Sequence, residues 1–370
     1  MKVYFIVTHG KRSLDLYSLR LSRYLNVPKL HTNLYSKIAE TFGSSLLKPS
    51  TLRMFLEVCR FSRALRKLPG IPHLPNHHMG RFTLKLEKPF IITVHDVMRY
   101  LDIEFNRGLI SKKPTPQDKY WIRLDFEGIK KASKIIVPSH FTGKELAKYV
   151  GVPADKIHVI YHGIDEVFKP RPGQTPCPKP YILYVGSEHP RKNLSTVLQA
   201  FAKLKKEKVH RKLKLVKVGS AGSREADFRA ETLQWVSKLH LQGEVIFLGW
   251  VSPETLATLY TEAELLVFPS IYEGFGWPPL EAMACGCPVV SSNKASMPEI
   301  FGDAALYVNP YDVDGWVHVL DQVLLSDRLK RRLSNLGRQH AKKFTWKKAA
   351  EETLKVYQQV AEDSPLISSG

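Results

Sequence analysis

Short apolar runs alternate with amphipathic stretches of helical period along this chain. That alternation is met by a parallel sheet with helices on both faces. Lys2–Val7, Phe90–Val94, Lys134–Pro138 and Lys156–Tyr161 read as strands and Ser13–Leu25 as a helix, while Ser139 reads as the cap of a helix beginning near Thr142. At Phe168–Tyr181 the pattern breaks, because Pro170, Pro172, Pro176, Pro178 and Pro180 crowd together as a stiff connector. It then restarts with strand Tyr181–Val185, helix Leu194–Lys206 and strands Lys212–Val218, Val245–Leu248, Leu265–Phe268 and Pro288–Ser291. The last helices expected are Val317–Leu325 and Trp346–Ala361. A chain of 370 residues suits two domains of roughly 100–200 residues each. We place the first at 1–166, the linker at 167–180, the second at 181–345, and a final helix at 346–370 that crosses back to the first domain. A cleft between two such α/β domains, facing the ends of their strands, is where a ligand is expected.

The formal net charge of +20 is unevenly placed. Residues 1–170 hold 29 Lys/Arg against 14 Asp/Glu, and residues 171–370 hold 26 against 21. The first half therefore faces something anionic: nucleic acid, a phospholipid surface or an acidic substrate. Its densest piece, Thr51–Lys67, interleaves Leu52, Phe55, Leu56, Phe61 and Leu65 with Arg53, Arg60, Arg63, Arg66 and Lys67. It reads as a core-packed helix with a solvated basic face, or as one that approaches anionic headgroups. Clustered aromatics for base stacking are lacking there. Apolar residues at 44% and charged residues at 24% exclude a disordered chain. No apolar run reaches the ~18 residues of a membrane span, and the N-terminal run is too short for a signal peptide, so a cytoplasmic protein is expected. Cys59, Cys177, Cys285 and Cys287 lack C-x-x-C spacing and read as free thiols. His73, His77 and His78 have no nearby carboxylate and read as a loop of an acceptor site rather than a zinc site.

Chemistry concentrates in two segments. In Pro269-Ser-Ile-Tyr-Glu-Gly-Phe-Gly-Trp-Pro-Pro-Leu-Glu281, a strand ends, Gly274 and Gly276 let a ligand approach the backbone, and a helix starts at Pro278 or Pro279 and stops at Gly286. A row of N–H groups at a positive dipole end is an anion site. Upstream, Gly186 follows a strand and the adjacent cations Arg191 and Lys192 are expected to open a helix. There they would oppose the dipole unless an anion is shared between them. Asp312-Val-Asp314 superficially matches a metal-binding Asp-x-Asp but reads as N-capping.

These two segments, "YVGSEHPRKNL" and "EGFGWPPLEAMACGCPVV", together with "VIYHGID", resemble the retaining glycosyltransferases of family 4. The match is close over about residues 157–310 and weaker upstream, at "IITVHD" and "ASKIIVPSHFT". The resemblance implies the GT-B architecture, two Rossmann-like domains facing a central cleft. It implies a hexose transferred from a nucleotide diphosphate sugar, UDP-glucose-like or GDP-mannose-like, to a hydroxyl of a glycan or lipid-linked acceptor, in cell-surface polysaccharide or glycolipid synthesis. Arg191 and Lys192 would hold the diphosphate, Glu281 the ribose hydroxyls, and Glu273 with the amides of Gly274, Phe275 and Gly276 the transferred sugar. Trp250 and Val251 would grip the base through the backbone. Gly186 and Leu280 would add donor contacts, and His95 would lie near the anomeric carbon. No cofactor, metal or nucleic acid is implied. An anionic surface at the inner face of the membrane is the further partner that the basic half suggests. The sequence departs from the family at Ser187, where many members carry arginine, at His162 in place of asparagine, at Trp277 in place of leucine, and in a first strand–helix loop without a Gly-Gly pair. A nucleotide-sugar 2-epimerase of the same architecture and a basic nucleic-acid-binding protein are the other readings.

Overall fold

The computed structural model describes residues 2–10, 13–32, 49–109, 114–222 and 226–363. Lys11 and Arg12 of the first strand–helix loop lie outside them, as do the side chains of Leu52, Arg53 and Phe55. The chain forms two compact units, Met1–Gly163 with Trp346–Gly370, and Ile164–Thr345.

In the first unit, β1 (Val3–Thr8), β2 (Lys29–Thr32), β3 (Ile71–Leu74), β4 (Ile91–Thr93), β5 (Lys134–Val137) and β6 (Ile157–Val159) form one parallel sheet in the order β2-β1-β3-β4-β5-β6. Phe5, Ile6, Val7, Ile91, Ile92, Ile135 and Ile136 are buried in it. Helix Trp346–Glu362 belongs to this unit, where the Tyr357 hydroxyl meets His73 Nδ1 at 2.6 Å.

In the second unit, β7 (Tyr181–Val185), β8 (Lys214–Val218), β9 (Val245–Gly249), β10 (Leu265–Phe268), β11 (Val289–Ser292) and β12 (Leu306–Val308) form another parallel sheet, ordered β12-β11-β10-β7-β8-β9. Helices cover both faces of a parallel sheet, which is why β10 is an unbroken apolar run with every residue buried. Helix Leu194–Leu204 seals one face with Leu194, Val197, Leu198, Phe201 and Leu204, spaced for one helical stripe. Trp316, Leu320 and Val323 of helix Val313–Leu325 join the same core. Asp312 caps that helix, its Oδ1 accepting from the Gly315 N–H at 2.9 Å.

Strand order decides where a ligand can enter. In the second sheet the direction of winding reverses between β7 and β10, and the loops leaving these two neighbours part there. In the first sheet the reversal lies between β1 and β3. The α/β, two-sheet expectation therefore holds.

Some elements differ from the reading of the sequence. The sequence pattern shows no strand at β2, β3 or β12: β2 has no buried residue, Pro72 and His73 interrupt β3, and β12 is three residues long. Helix Asp327–Ala341 was also missed, because charge dominates it. Arg191 and Lys192 do not open the helix. They sit in a 3₁₀ turn, Pro190–Lys192, and Asn193 in the left-handed region (φ 55°) then starts helix Leu194–Leu204.

Candidate active site

The loop after β7 is fixed from several sides. Gly186 N–H donates to the Val218 carbonyl at 3.0 Å, while the Tyr184 hydroxyl donates to the carbonyls of Ser187 (3.0 Å) and Lys192 (3.3 Å). Gly219 has φ +113°, and a Cβ on it would lie 2.6 Å from the Gly186 carbonyl oxygen, so this crossing of two loops admits no side chain. Beneath it lies a buried cluster. The Glu188 carboxylate pairs with Lys217 Nζ at 2.9 Å and Arg229 Nη2 at 2.5 Å. Lys217 Nζ also donates to the carbonyls of Gly219 and Ser220. Burial would raise the Glu188 pKa, but the two cations Arg229 and Lys217 outweigh it and pull the carboxyl below the ordinary range.

The loop after β10 is stitched to the first. Ile271 N–H donates to the Arg191 carbonyl (2.8 Å), Arg191 Nη1 to the Tyr272 carbonyl (3.0 Å), and Asn193 Nδ2 to the carbonyls of Pro269 (3.3 Å) and Pro310 (2.7 Å). Ser296 Oγ donates to the Glu273 carbonyl at 2.8 Å. Glu273 is thereby brought onto the two cations, with Oε1 3.0 Å from Arg191 Nη1 and 2.5 Å from Lys192 Nζ. Burial alone would raise the Glu273 pKa, but the charges of Arg191 and Lys192 outweigh it and hold it at about 2. Burial lowers the Lys192 pKa, and Glu273 limits the fall. The Lys192 ammonium also lies 5.3 Å from the centre of the Phe268 ring.

Gly276, at φ +97°, leads into helix Trp277–Ala284. The expected row of N–H groups is shorter than the sequence reading had it, because Pro278 and Pro279 carry none. Leu280 is fully buried, backbone included, and the Phe275 ring packs on Phe344. Glu281 is buried one turn further on, its Oε2 accepting from the Tyr260 hydroxyl at 3.1 Å. Past β9, Trp250 is 81% exposed, and Ser252 caps helix Pro253–Glu262.

Comparison with known proteins bears on this arrangement. Residues 168–340 match the family model for glycosyl transferases group 1, and residues 35–168 that for glycosyltransferase family 4. O-antigen chain mannosyltransferase B of Escherichia coli is 32% identical over 298 residues, covering 78% of this chain and 74% of that protein. The chain belongs to the family 4 glycosyltransferases. MMP alpha-(1->4)-mannosyltransferase of Mycolicibacterium hassiacum is 29% identical across 76% of this glycosyltransferase and 69% of its own length. Among solved structures, sucrose-phosphate synthase from Thermosynechococcus elongatus superposes with a TM-score of 0.77 at 20% identity, covering 98% of this chain and all of that one. Anabaena Alr3699/HepE in complex with UDP and glucose gives 0.74 at 17% identity, over 97% and 99% of the two chains. At such identities these two show the GT-B fold.

His95 of this glycosyltransferase belongs to the first unit, just past β4. Its Nε2–H donates to the Pro75 carbonyl at 2.8 Å, which leaves Nδ1 as the acceptor. Its ring packs against Tyr17 at 4.6 Å and His162 at 5.2 Å. Burial, opposed by the Pro75 bond and helped by the charge of His78, lowers the His95 pKa to about 4. His73, bonded to Thr93 Oγ1 at 2.8 Å, is lowered to about 3 by burial and by His95. These histidines are neutral at pH 7. His77 is part of the same cluster, and His78 lies 3.5 Å from Asp125. Among the described residues no group of three or more His, Cys, Asp or Glu could hold a metal ion.

Within the second unit the structure thus assembles Arg191, Lys192 and Glu273, with Gly186 and Gly274–Gly276 on the same pair of loops. Sequence reasoning missed Asn193, which joins the loops, and the Lys217–Glu188–Arg229 cluster that backs them. A lysine inside the apolar run of β8 was the available signal for the latter.

Proposed function

We propose that this glycosyltransferase moves a mannosyl group from a nucleoside diphosphate mannose to a hydroxyl of a glycan or lipid-linked acceptor, with retention of configuration, in cell-surface polysaccharide synthesis. The observation that carries the reading is the Arg191–Lys192–Glu273 cluster at the winding reversal between β7 and β10. The curated relatives, mannosyltransferases by name, support the choice of sugar.

In this reading Arg191 and Lys192 hold the diphosphate, aided by backbone N–H groups of Gly274–Gly276, while Gly186, its own N–H bonded to the Val218 carbonyl, lets the donor approach the loop without a side chain in the way. Glu281 takes the ribose hydroxyls, and Trp250 and Val251 the base. The bond from the anomeric carbon to the phosphate oxygen breaks, and charge collects on the departing phosphate. Two fixed cations stabilise that charge without reorganising, each worth on the order of 4 kcal/mol at 4 Å and an effective dielectric of 20. They supply the neutralisation that a divalent ion gives elsewhere. The acceptor oxygen attacks the same face and its proton passes to the departing phosphate. Glu273 orients the sugar, and neutral His95 accepts a hydroxyl hydrogen bond through Nδ1. In the first unit Leu56, Arg60, Arg63, Arg66 and Lys67 of helix Pro49–Lys67 are exposed, which supports contact with anionic headgroups. Salt-sensitive co-sedimentation with phosphatidylglycerol vesicles tests that contact. No described helix is long and apolar enough to cross a membrane.

The deciding experiment incubates the protein with GDP-mannose or UDP-glucose and a glycan acceptor, with and without EDTA. Release of nucleoside diphosphate with an α-linked mannosyl product, unchanged by EDTA, is expected. An isomerised donor without acceptor product would replace transferase with 2-epimerase.

A further inference from the structure

We propose that Glu273 is a placeholder for the donor diphosphate: without ligand its carboxylate occupies the anion position on Arg191 and Lys192, and the nucleotide must displace it. This rests on the reading that those two cations hold the diphosphate.

Three observations support it. Lys192 is largely buried, and a buried ammonium needs a counter-charge. Glu273 is the carboxylate that both it and Arg191 engage, while Glu188 is engaged by Lys217 and Arg229. Second, the carboxylate meets both cations through one oxygen, as a bridging phosphate oxygen would. Third, the backbone on either side is pinned, by Arg191 Nη1 on the Tyr272 carbonyl and by Ser296 Oγ on the Glu273 carbonyl. The side chain can therefore leave by rotation about its own bonds, without movement of the loop.

Charge makes the exchange obligatory. Two cations match the two charges of a sugar nucleotide's diphosphate, and a carboxylate left among them would repel the phosphates at contact distance. Once displaced, Glu273 becomes an acceptor for the hydroxyls of the transferred sugar. The intact donor is compensated for the displacement and the product nucleoside diphosphate is not. After transfer, Glu273 returns to Arg191 and Lys192 and competes the product off. The same residue would thus serve both sugar orientation and product release.

Calorimetric titration with GDP and with UDP, no sugar attached, tests this on the full chain. Glu273→Gln keeps the shape and removes the charge, and is expected to bind the preferred nucleotide at least tenfold more tightly than wild type. Lys192→Ala is expected to bind it more weakly, and in Lys192→Ala/Glu273→Gln the gain from glutamine shrinks several-fold. If Lys192→Ala weakens binding but Glu273→Gln binds no tighter than wild type, the placeholder is wrong and the diphosphate reading stands. An undiminished gain in the double variant would mean direct repulsion of the phosphates and would also overturn the placeholder. If Lys192→Ala and Arg191→Ala both bind like wild type, the diphosphate reading itself fails. Should Glu273→Gln not fold, Glu273→Asp draws the charge back by one methylene and is expected to tighten binding less, in the same direction. Unchanged or weaker binding by that variant refutes the placeholder.

Discussion

Substituting Glu188 by glutamine tests whether the buried charge cluster beneath the β7 loop holds that loop in place. The Glu188 and Lys217 side chains have no solvent exposure, and Arg229 is 34% exposed. Glutamine preserves volume but leaves the Lys217 ammonium facing only neutral acceptors, the glutamine's own amide oxygen and the carbonyls of Gly219 and Ser220. Removing one partner of a buried pair costs about 3–5 kcal/mol, most of it from the stranded charge. Arg229 adds little to that figure because water screens it. The signature is non-additive: Glu188→Gln/Lys217→Met, which removes both buried charges, is expected to be more stable than Glu188→Gln alone. Urea unfolding followed by tryptophan fluorescence is suited to this, since Trp235, Trp250, Trp277 and Trp316 lie in the second unit and only Trp121 and Trp346 in the first. The pH dependence has a definite sign. Burial lowers the Lys217 pKa below its unfolded value and Glu188 limits the fall, so without that carboxylate the folded state sheds the proton at lower pH than wild type and regains more stability as pH rises toward the unfolded pKa. The deficit of Glu188→Gln should therefore narrow between pH 7 and pH 9.5. A deficit under 1 kcal/mol, or a double variant less stable than Glu188→Gln, would refute the reasoning.

Lys192→Ala removes one of the two cations from the departing phosphate and is expected to lower kcat by 10²–10³ in a product-release assay, against a far smaller loss in thermal stability. Gly276→Ala forces a Cβ at φ +97° to 3.0 Å from Phe301 Cζ. It should destabilise by about 1–3 kcal/mol in the same urea assay. In the first unit, His73 and His95 are neutral when folded, with pKa values of about 3 and about 4 against 6.5 when unfolded. Because the unfolded chain takes up these protons first, that stability is present above pH 6.5 and is lost as pH falls toward 4 and then 3. His95→Gln should flatten the low-pH limb of a melting-temperature profile.

Which parts of this were legible beforehand follows from where each signal resides. Unbroken apolar runs such as Leu265–Phe268 mark doubly covered strands, and the glycines, prolines and charged residues after them mark ligand loops, because those are local requirements. That β7 lies beside β10 is not local: β8 and β9 intervene in sequence, and only the register pairing Leu265 with Ile182 reveals the neighbour. Without it, Glu273 and Arg191 are 82 residues apart with nothing to join them. Helix Asp327–Ala341 did carry a signal in Leu329, Leu333 and Leu336. Its charged remainder masked the stripe, and the close approach of Gly337 to Met283 appears only in three dimensions. The prolines at 278 and 279 were read correctly as helix starters, yet the same chemistry removes two amides from the expected row. Protonation states were the least accessible, since the neutrality of His95 depends on a cavity built by Tyr17, Pro75 and His162 from three separate segments.

Glu188 and Glu273, both paired with cations of the β7–β10 loops, have opposite duties, and their surroundings explain why one residue type serves both. Glu188 lies behind the loop, with no exposure and two cations that it never has to release, so its charge is structural. Glu273 lies at the front on a pinned backbone with a rotatable side chain, and its cations are those that a phosphate would claim. Across the cluster, Arg191, Lys192, Lys217 and Arg229 against Glu188 and Glu273 leave two positive charges in the ligand-free state. A diphosphate brings two negative charges, so the filled site is neutral overall while Glu273 is free to exchange partners within it. Were Glu188 absent, the surplus in the ligand-free cluster would rise from two to three, and a nucleoside diphosphate would be held more tightly. The rear carboxylate thus fixes the loop and also holds the ligand-free cluster at two positive charges instead of three.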